Sequence, residues 1–218
     1  MTILIAGGTK GIGLAIAKAF AKDAGDVILG YHSDVVAATK AAESVTKAGG
    51  RPHLVKADAG TPEGCAAMAT AARAVAGRLD QVVHCAVDAY ASTALSADPT
   101  RFARAVTTNG TSLLFLVQAV LPLLSYGSTV FYLTSRGGRI VVPNYAAVGV
   151  AKALAESLMR YLAVELAPRG IGSTQLRLPS SRPTQSGRCS ARRPATSFAR
   201  PRATIRPVGA SRTRTTQA

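Results

Sequence analysis

The chain opens with Met1-Thr2-Ile3-Leu4-Ile5-Ala6-Gly7-Gly8-Thr9-Lys10-Gly11-Ile12-Gly13, and this stretch decides the fold. The apolar run before the glycines predicts a buried strand, and residues 14–20 after them have the apolar pattern of a helix. Glycine at positions 7, 11 and 13 allows a tight turn, close approach of backbone to a pyrophosphate, and close packing of helix on strand. The stretch therefore predicts a dinucleotide site; a structural turn without a ligand is the alternative.

Apolar runs and helical patterns alternate along the chain as far as residue 167. We predict further strands at 27–31, 52–57, 79–86 and 129–134, and helices at 34–48, 62–76, 101–124 and 144–167. Apolar runs bounded by turn residues are typical of a parallel sheet that is buried on both faces. The pattern predicts a single α/β domain with a doubly wound, Rossmann-like parallel sheet and ligands at the carboxyl ends of its strands.

Composition limits the class of protein. The chain has 218 residues and 48% hydrophobic content, which is enough for one domain with a sizeable core. Because there is no long apolar run and no basic segment before the first strand, we expect a cytoplasmic protein without a signal peptide or membrane span. Cys65, Cys85 and Cys189 are scattered and show no metal-binding spacing, so we expect reduced thiols and no metal site.

The formal charge of +15 is concentrated at the end of the chain. All eleven acidic residues occur at or before Glu165, whereas the ten basic residues after position 170 are all arginine. Since residues 1–170 carry a net charge of only +5, we do not expect this part to bind nucleic acid.

From residue 172 onward, Ser, Thr, Pro, Arg and Ala dominate, and we expect a domain at 1–171 followed by a tail at 172–218. Such a tail cannot bury enough apolar surface to offset its conformational entropy, so it is expected to be disordered. The alternatives are an arginine-rich segment for nucleic acid, a contact with anionic membrane, or a frame-shifted sequence. We favour the frame shift, because a doubly wound sheet normally continues past this helix, and we therefore expect the sheet to lack its last strand or strands.

Two polar residues stand out in the predicted helix at 144–167, for which Asn144 is a candidate N-cap. Tyr145 in the first turn and Lys152 are seven residues apart, which on a helix brings them within about 20° of one face and roughly 10 Å apart along the axis. That spacing suits two groups that contact different parts of one extended ligand. A chance pair of surface residues is the alternative.

The segment after the second predicted strand bears on cofactor choice. It reads Tyr31-His32-Ser33-Asp34 and has no acidic residue at the strand end, where a ribose 2′-hydroxyl would be bound. This favours NADP over NAD, although His32 is a poorer phosphate partner than arginine. Asp58, after the third strand, is either an acceptor for an adenine amino group or a turn residue.

Together these motifs resemble the short-chain dehydrogenase/reductase superfamily over residues 1 to about 171. The likeness lies in the glycine turn, the Asp58 turn, Leu79-Asp80, Asn109 in Thr-Asn-Gly, Ser135 at the end of the fifth strand, and Lys152. Two features depart from the superfamily pattern. A ketoreductase would carry Tyr where Val148 stands, and the usual Asn-Asn-Ala-Gly is His84-Cys85-Ala86-Val87.

The arrangement of Ser135, Tyr145 and Lys152 most resembles that of the type III enoyl-acyl carrier protein reductases, with their Tyr-x6-Lys motif. The resemblance implies NADPH-dependent reduction of the 2,3 double bond of enoyl-acyl carrier protein thioesters in fatty-acid synthesis. Tyr145 would contact the substrate oxygen and Lys152 the nicotinamide ribose; Ser135 would help to place the substrate, or be a structural strand-end residue, and Asn109 would shape its helix or a water path. A carbonyl (3-oxoacyl) reductase and a catalytically impaired nucleotide-binding protein are the alternatives.

The resemblance also implies partners and cofactor contacts. The partners are an acyl carrier protein or acyl thioester and further copies of the chain, as a homo-oligomer such as a tetramer. The expected cofactor-binding residues lie in the first turn, after the next strands, and on the last helix: Gly7, Thr9, Lys10, Gly11, Ile12, Gly13, His32, Ser33, Asp58, Ala59, Cys85, Ala86 and Lys152.

Overall fold

The computed structural model describes residues 1–23 and 25–177. Its six strands form one parallel sheet in the order β3-β2-β1-β4-β5-β6. They are β1 (Thr2–Ala6), β2 (Asp26–Tyr31), β3 (Arg51–Lys56), β4 (Leu79–His84), β5 (Leu124–Thr134) and β6 (Gly172–Arg177). The order runs outward from β1 in one direction and from β4 in the other, so the predicted doubly wound α/β fold is confirmed.

Helices cover both faces of the sheet, as the alternating pattern predicts. They are α1 (Gly11–Phe20), α2 (Val35–Lys47), α3 (Pro62–Ala76), α4 (Pro99–Val106), α5 (Ser112–Val120) and α6 (Ala146–Leu166). Successive residues of a strand point to opposite faces. Leu4, Ile28 and Val82 accordingly pack with α3, α5 and α6. Ile3, Val27 and Val83 pack with α1 and α2 on the other face.

One long helical segment in the described part of the chain contains α4 and α5 and is strongly apolar. Pro99–Leu123 is continuous through a π-helical turn at Thr107–Thr111, and it is long and apolar enough to cross a membrane by length and composition alone. Its apolar residues Leu113, Leu116 and Val120 are fully buried in the core of the domain. The apolar composition is thus explained by packing against the sheet.

The sixth strand corrects the domain boundary expected at residue 171. Gly172–Arg177 pairs in parallel register with β5, from Thr129↔Gly172 to Thr134↔Arg177. The sequence pattern does not predict this strand, because Gly, Ser, Thr, Gln and Arg occupy five of its six positions. Its backbone nevertheless forms the parallel hydrogen-bond ladder with β5. The rest of the predicted tail, residues 178–218 with Cys189, lies outside the described residues.

The first turn brings backbone segments into direct contact. Gly7 has φ +82°, and a Cβ there would lie 2.7 Å from the amide nitrogen of Ala86 after β4. A Cβ on Gly13 would overlap the carbonyl oxygen of Gly7, because α1 leaves the turn against the end of β1. Gly11 also has positive φ, +47°, but has no heavy atom within 4 Å of a Cβ.

These contacts predict different costs for two alanine substitutions in one turn. Gly13→Ala should lower the free energy of unfolding by about 3 kcal/mol, because the new methyl group has no room. Gly11→Ala should cost about 1 kcal/mol, since it meets only the left-handed backbone penalty. Urea unfolding of both variants provides the measurement. Equal losses would contradict the close packing of α1 on β1.

Candidate active site

The carboxyl ends of the strands meet at one edge of the sheet, and the order changes direction between β1 and β4. Their last residues, Ala6 and His84, are paired, and His84 is paired with Tyr132 of β5. The loops after β1, β4 and β5 therefore lie side by side. In an open α/β sheet this is the crevice in which ligands bind.

Two helices begin at this crevice without a side-chain cap. In the described part of the chain, α2, α3 and α4 are capped by Asp34, Thr61 and Asp98, which accept backbone amides at 2.9, 3.0 and 2.8 Å. The N-termini of α1 and α6 have no such side-chain bond. Uncapped helical amides carry partial positive charge and bind anions. The start of α1, formed by Gly11, Ile12 and Gly13, is therefore suited to a phosphate group.

Basic and polar side chains surround the end of β2. The ammonium of Lys10, from the first turn, lies 2.5 Å from the Asp34 carboxylate. The hydrogen bond from Lys10 holds the pKa of Asp34 below its usual range. His32 and Ser33 are exposed beside this pair. Asp34, the acid nearest the end of β2, is thus already paired with Lys10. His32 and Ser33 are exposed there as possible hydrogen-bond donors to a ligand.

The remaining predicted cofactor residues line the neighbouring loops. Asp58 accepts the Gly60 amide at 2.8 Å and lies 3.6 Å from His32, so it forms a turn after β3 as its alternative interpretation expected. Thr9 and Ala59 are buried in their turns. The Cys85 amide donates to Ala6 at 2.9 Å, which aligns the loop after β4 with the glycine turn. Burial raises the pKa of the Cys85 thiol to about 11.

Lys152 is a buried ammonium on the inner face of α6. Only 5% of the residue is exposed, its Nζ donates to the Leu133 carbonyl at 2.7 Å, and Nζ lies 4.6 Å from the centre of the Tyr132 ring. Burial lowers the pKa of Lys152 to about 8. Among the described residues no carboxylate forms an ion pair with it. Its remaining donor capacity and its charge are available to a ligand.

Tyr145 lies at the N-cap of α6, which corrects the expectation that Asn144 caps the helix. Asn144 has φ +57°, a left-handed conformation, and α6 begins one residue after Tyr145. The backbone on both sides of Tyr145 is hydrogen-bonded to Ser92, through Asn144 at 3.1 Å and Ala146 at 3.2 Å. Tyr145 is consequently fixed by the loop after β4 as well as by α6. Because Tyr145 precedes the first residue of α6, the helical spacing places it only approximately on the same face as Lys152.

A tight turn after β5 contacts both Tyr145 and Lys152. A Cβ on Gly137 would lie 2.6 Å from the Tyr145 ring, and one on Gly138 would lie 3.2 Å from the Lys152 Cβ. Ser135 precedes this turn, and its buried hydroxyl has no hydrogen-bond partner among the residues that the structure describes. Buried polar atoms normally have partners. The Ser135 hydroxyl is therefore a candidate contact for a ligand beside Tyr145.

Asn109 has a structural position in the π-helical turn. Its side-chain nitrogen donates to the carbonyls of Asp88 and Ala105 at 2.8 Å each, and its oxygen accepts the Asp88 amide at 3.1 Å. The Tyr132 hydroxyl donates to the Asn109 carbonyl at 2.5 Å. These bonds fit the prediction that Asn109 shapes its helix, and they link it to Lys152 only through the Tyr132 ring.

His84 is a site residue that the sequence revealed only as a departure from a family motif. It is fully buried, and its Nε2 lies 2.7 Å from the Ser112 hydroxyl, which donates to Thr108. Because that hydroxyl proton is engaged, Nε2 is the protonated nitrogen. Burial, aided by the Lys152 charge, lowers the pKa of His84 to about 3. A neutral imidazole therefore packs beside the ammonium without repelling it.

The structure brings together Tyr145, Lys152, Ser135 and the first-turn glycines at one crevice, while Asn109 lies behind it in the core. Ser92 lies in a loop, where nothing in the local sequence signals burial. Tyr132 lies in the predicted strand at 129–134, and the sequence pattern indicates its burial but not its contact with Lys152. In residues 1–23 and 25–177 no cluster of three His, Cys, Asp or Glu side chains is arranged for a metal ion.

One protein family and several known proteins are similar to this chain in sequence. The family described as enoyl-(acyl carrier protein) reductase matches residues 6–173. The 1-cyclohexenylcarbonyl-CoA reductase of Streptomyces collinus is 33% identical over 168 residues, covering 77% of this chain and 60% of the relative. An enoyl-[acyl-carrier-protein] reductase [NADH] of Synechocystis is 39% identical over 100 residues, covering 44% of this chain and 38% of the relative.

A solved structure has the same fold. The angucycline C-6 ketoreductase LanV with bound NADP superposes with a TM-score of 0.74 at 27% identity, covering 80% of this chain and 70% of that one. The chain spans less than two thirds of the length of both curated relatives.

The buried ammonium predicts a pH-dependent stability that Lys152→Met should remove. The folded-state pKa is about 8, below the ordinary value of 10.5, so between these values the unfolded chain holds a proton that the folded chain releases. The contribution of Lys152 to stability therefore rises with pH through this window. We expect Lys152→Met to be more stable than the wild type at neutral pH, with a difference that shrinks toward pH 10.5, measured by urea unfolding. A difference independent of pH would contradict a charged, buried Lys152.

Proposed function

This chain belongs to the short-chain dehydrogenase/reductase superfamily, in the enoyl-(acyl carrier protein) reductase family, and on that premise we propose that it reduces the 2,3 double bond of enoyl thioesters with NADPH. One observation carries the proposal. The residue four before Lys152, where a ketoreductase places its phenol, is Val148, which is 1% exposed and cannot donate a proton. The phenol stands at Tyr145 instead, partly exposed at the open end of α6.

The residues present fit a nicotinamide dinucleotide. Glycine at positions 7 and 13 keeps side chains out of the first turn, and the uncapped start of α1 offers amides to a pyrophosphate. Lys10, His32 and Ser33 lie where a 2′-phosphate would need donors, and Lys152 has ammonium protons for ribose hydroxyls. When bound, the cofactor supplies the hydride.

The displaced phenol suits reduction of a carbon–carbon double bond. In an enoyl thioester the carbon that accepts hydride is two bonds from the carbonyl carbon, and negative charge develops on the thioester oxygen. Tyr145 would donate a hydrogen bond to that oxygen, and Lys152 would add positive field from a site of low dielectric. The α-carbon would then take its proton from solvent. Ser135, with its unpartnered hydroxyl, would help to place the thioester. A carbonyl reductase would instead need its donor beside the carbon that receives hydride.

The names of the relatives support this choice of reaction. The Streptomyces relative is named for a substrate whose double bond is conjugated with a thioester carbonyl, and the Synechocystis relative for an enoyl thioester. The Synechocystis name specifies NADH, whereas the ketoreductase structure contains NADP. Preference for NADPH in this chain rests on Lys10, His32 and Ser33. Carbonyl reduction is the second candidate, because the chain also resembles a ketoreductase.

The proposal includes a homo-oligomeric protein and a thioester substrate that is carried by acyl carrier protein or a smaller carrier. The outer face of α6 supports self-association, because Val150, Tyr161 and Val164 are 53%, 68% and 74% exposed on one helix. Contiguous apolar surface of this kind is typical of an interface.

The proposal predicts that Tyr145→Phe lowers kcat/KM for crotonyl thioester by about 100-fold, because the donor to the developing oxyanion is lost. NADPH binding should be retained. Tyr126→Phe, at the amino end of β5 where the side chain is exposed, is the control and should leave the rate unchanged. Consumption of NADPH is the measurement. An undiminished rate in Tyr145→Phe would exclude Tyr145 as the donor.

The proposed cofactor preference predicts a selective effect of Lys10→Ala. Loss of one charge-assisted hydrogen bond to a 2′-phosphate should raise KM for NADPH about tenfold. KM for NADH, which lacks that phosphate, should change much less. Lys18→Ala, at the other end of α1, is the charge-matched control. Equal changes with both cofactors would show that Lys10 does not read the 2′-phosphate.

A further inference from the structure

Glu156 is a buried carboxylate that the proposed chemistry does not use. It lies one helical turn after Lys152 on α6, and 6% of its side chain is exposed. One oxygen accepts the Thr134 hydroxyl at 2.8 Å, and the other accepts Nε of Arg139 at 2.9 Å. Burial raises the pKa of Glu156, but the hydrogen bonds from Arg139 and Thr134 and the nearby positive charges outweigh this and lower it. The carboxylate is therefore ionised at neutral pH.

Lys152 and Glu156 attach α6 to adjacent residues of β5. The Lys152 ammonium donates to the Leu133 carbonyl at 2.7 Å, and the Glu156 carboxylate accepts from Thr134 at 2.8 Å. Residues four apart on a helix lie on the same face. The two contacts thus fix the position of α6 along the carboxyl end of β5, one residue before Ser135.

The Glu156–Arg139 pair closes the turn that contains Gly137. Arg139 ends this turn, and its amide donates to Arg136 at 2.9 Å, as does the amide of Ile140 at 3.0 Å. The turn begins at Ser135, and Gly137 packs against the Tyr145 ring. Because Glu156 binds Arg139, it holds this turn on α6, between Ser135 and Tyr145.

A second arginine, on β6, contacts the same carboxylate. Arg177 of β6 lies 3.4 Å from Glu156, and Gln175 donates to the Glu156 carbonyl at 3.1 Å. These bonds attach β6 to α6, and Arg177 is also paired with Thr134 in the sheet. Among the described residues the Glu156 carboxylate therefore has two arginine partners, one from the turn after β5 and one from β6.

We propose that Glu156 is a positioning residue, which acts through Arg139 to set the turn after β5 and with it the relative placement of Ser135 and Tyr145. The activity part of the proposal rests on the proposed function. The structural part, the attachment of the turn to α6, can be measured without it. Misplacement of reacting groups by a fraction of a bond length is costly for catalysis.

The test compares Glu156→Gln and Arg139→Ala with Arg177→Ala in the full chain. With crotonyl thioester, we expect the first two to lower kcat about tenfold and to leave KM for NADPH unchanged. The double variant Glu156→Gln/Arg139→Ala should be no worse than either single variant, because both remove the same contact. Arg177→Ala should lower thermal stability and leave kcat within about twofold.

Hydrogen exchange supplies the readout that is independent of activity. Amides of residues 138–140 should exchange faster in Glu156→Gln and Arg139→Ala than in the wild type, and at the wild-type rate in Arg177→Ala. Arg139 is largely exposed, so Arg139→Ala remains informative if Glu156→Gln fails to fold.

Two results would overturn the proposal: unchanged exchange at 138–140 in Arg139→Ala, or equal effects on kcat from Arg139→Ala and Arg177→Ala. If the wild type reduces no enoyl thioester, the proposed function fails. The exchange rates then still decide whether Glu156 holds the turn.

Discussion

The site depends on a buried positive charge at the junction of α6 and β5. Lys152 is almost fully enclosed, with one carbonyl acceptor at 2.7 Å, one aromatic face at 4.6 Å and, among the described residues, no carboxylate partner. Burying an unpaired ammonium is costly, and the lowered pKa is the measure of that cost. Neutral His84 and the Tyr132 ring are compatible with such a charge, whereas a protonated His84 would repel it. In the proposed reaction the positive charge of Lys152 acts on a ligand in the adjacent crevice.

The rest of the crevice is organised by backbone contact. Gly7 and Gly13 bring β1, α1 and the loop after β4 together, and the Gly137–Gly138 turn fits between Tyr145 and Lys152. In both places a side chain larger than hydrogen would separate the elements. The proposed distinction between carbon–carbon and carbonyl reduction then depends on the position of the tyrosine relative to Lys152. Val148 is buried in α6, and Tyr145 lies at the N-terminus of this helix.

Much of this could be predicted from the sequence, because the apolar runs of β1, β2 and β4 and the glycine turn have strong local signals. α3 has the predicted bounds, with Thr61 as its cap and Pro62 in its first turn. β6 was missed because Gly172–Arg177 is polar and gains its place only by pairing with β5. The predicted N-cap of α6, Asn144, lies one residue before the observed one, because the left-handed backbone of Asn144 has no signal in the sequence. The sequence does not reveal the role of Glu156, because a glutamate on a helix normally faces solvent and its partners are 17 to 22 residues away.

The central claim is that the position of the phenol selects the bond that is reduced. The most direct measurement offers the full chain crotonyl thioester and acetoacetyl thioester in parallel, with NADPH, and compares kcat/KM. The account predicts reduction of the crotonyl thioester, with the saturated acyl thioester as product, and a much lower rate with the acetoacetyl thioester. Preferential reduction of the acetoacetyl thioester to the 3-hydroxyacyl product would contradict it.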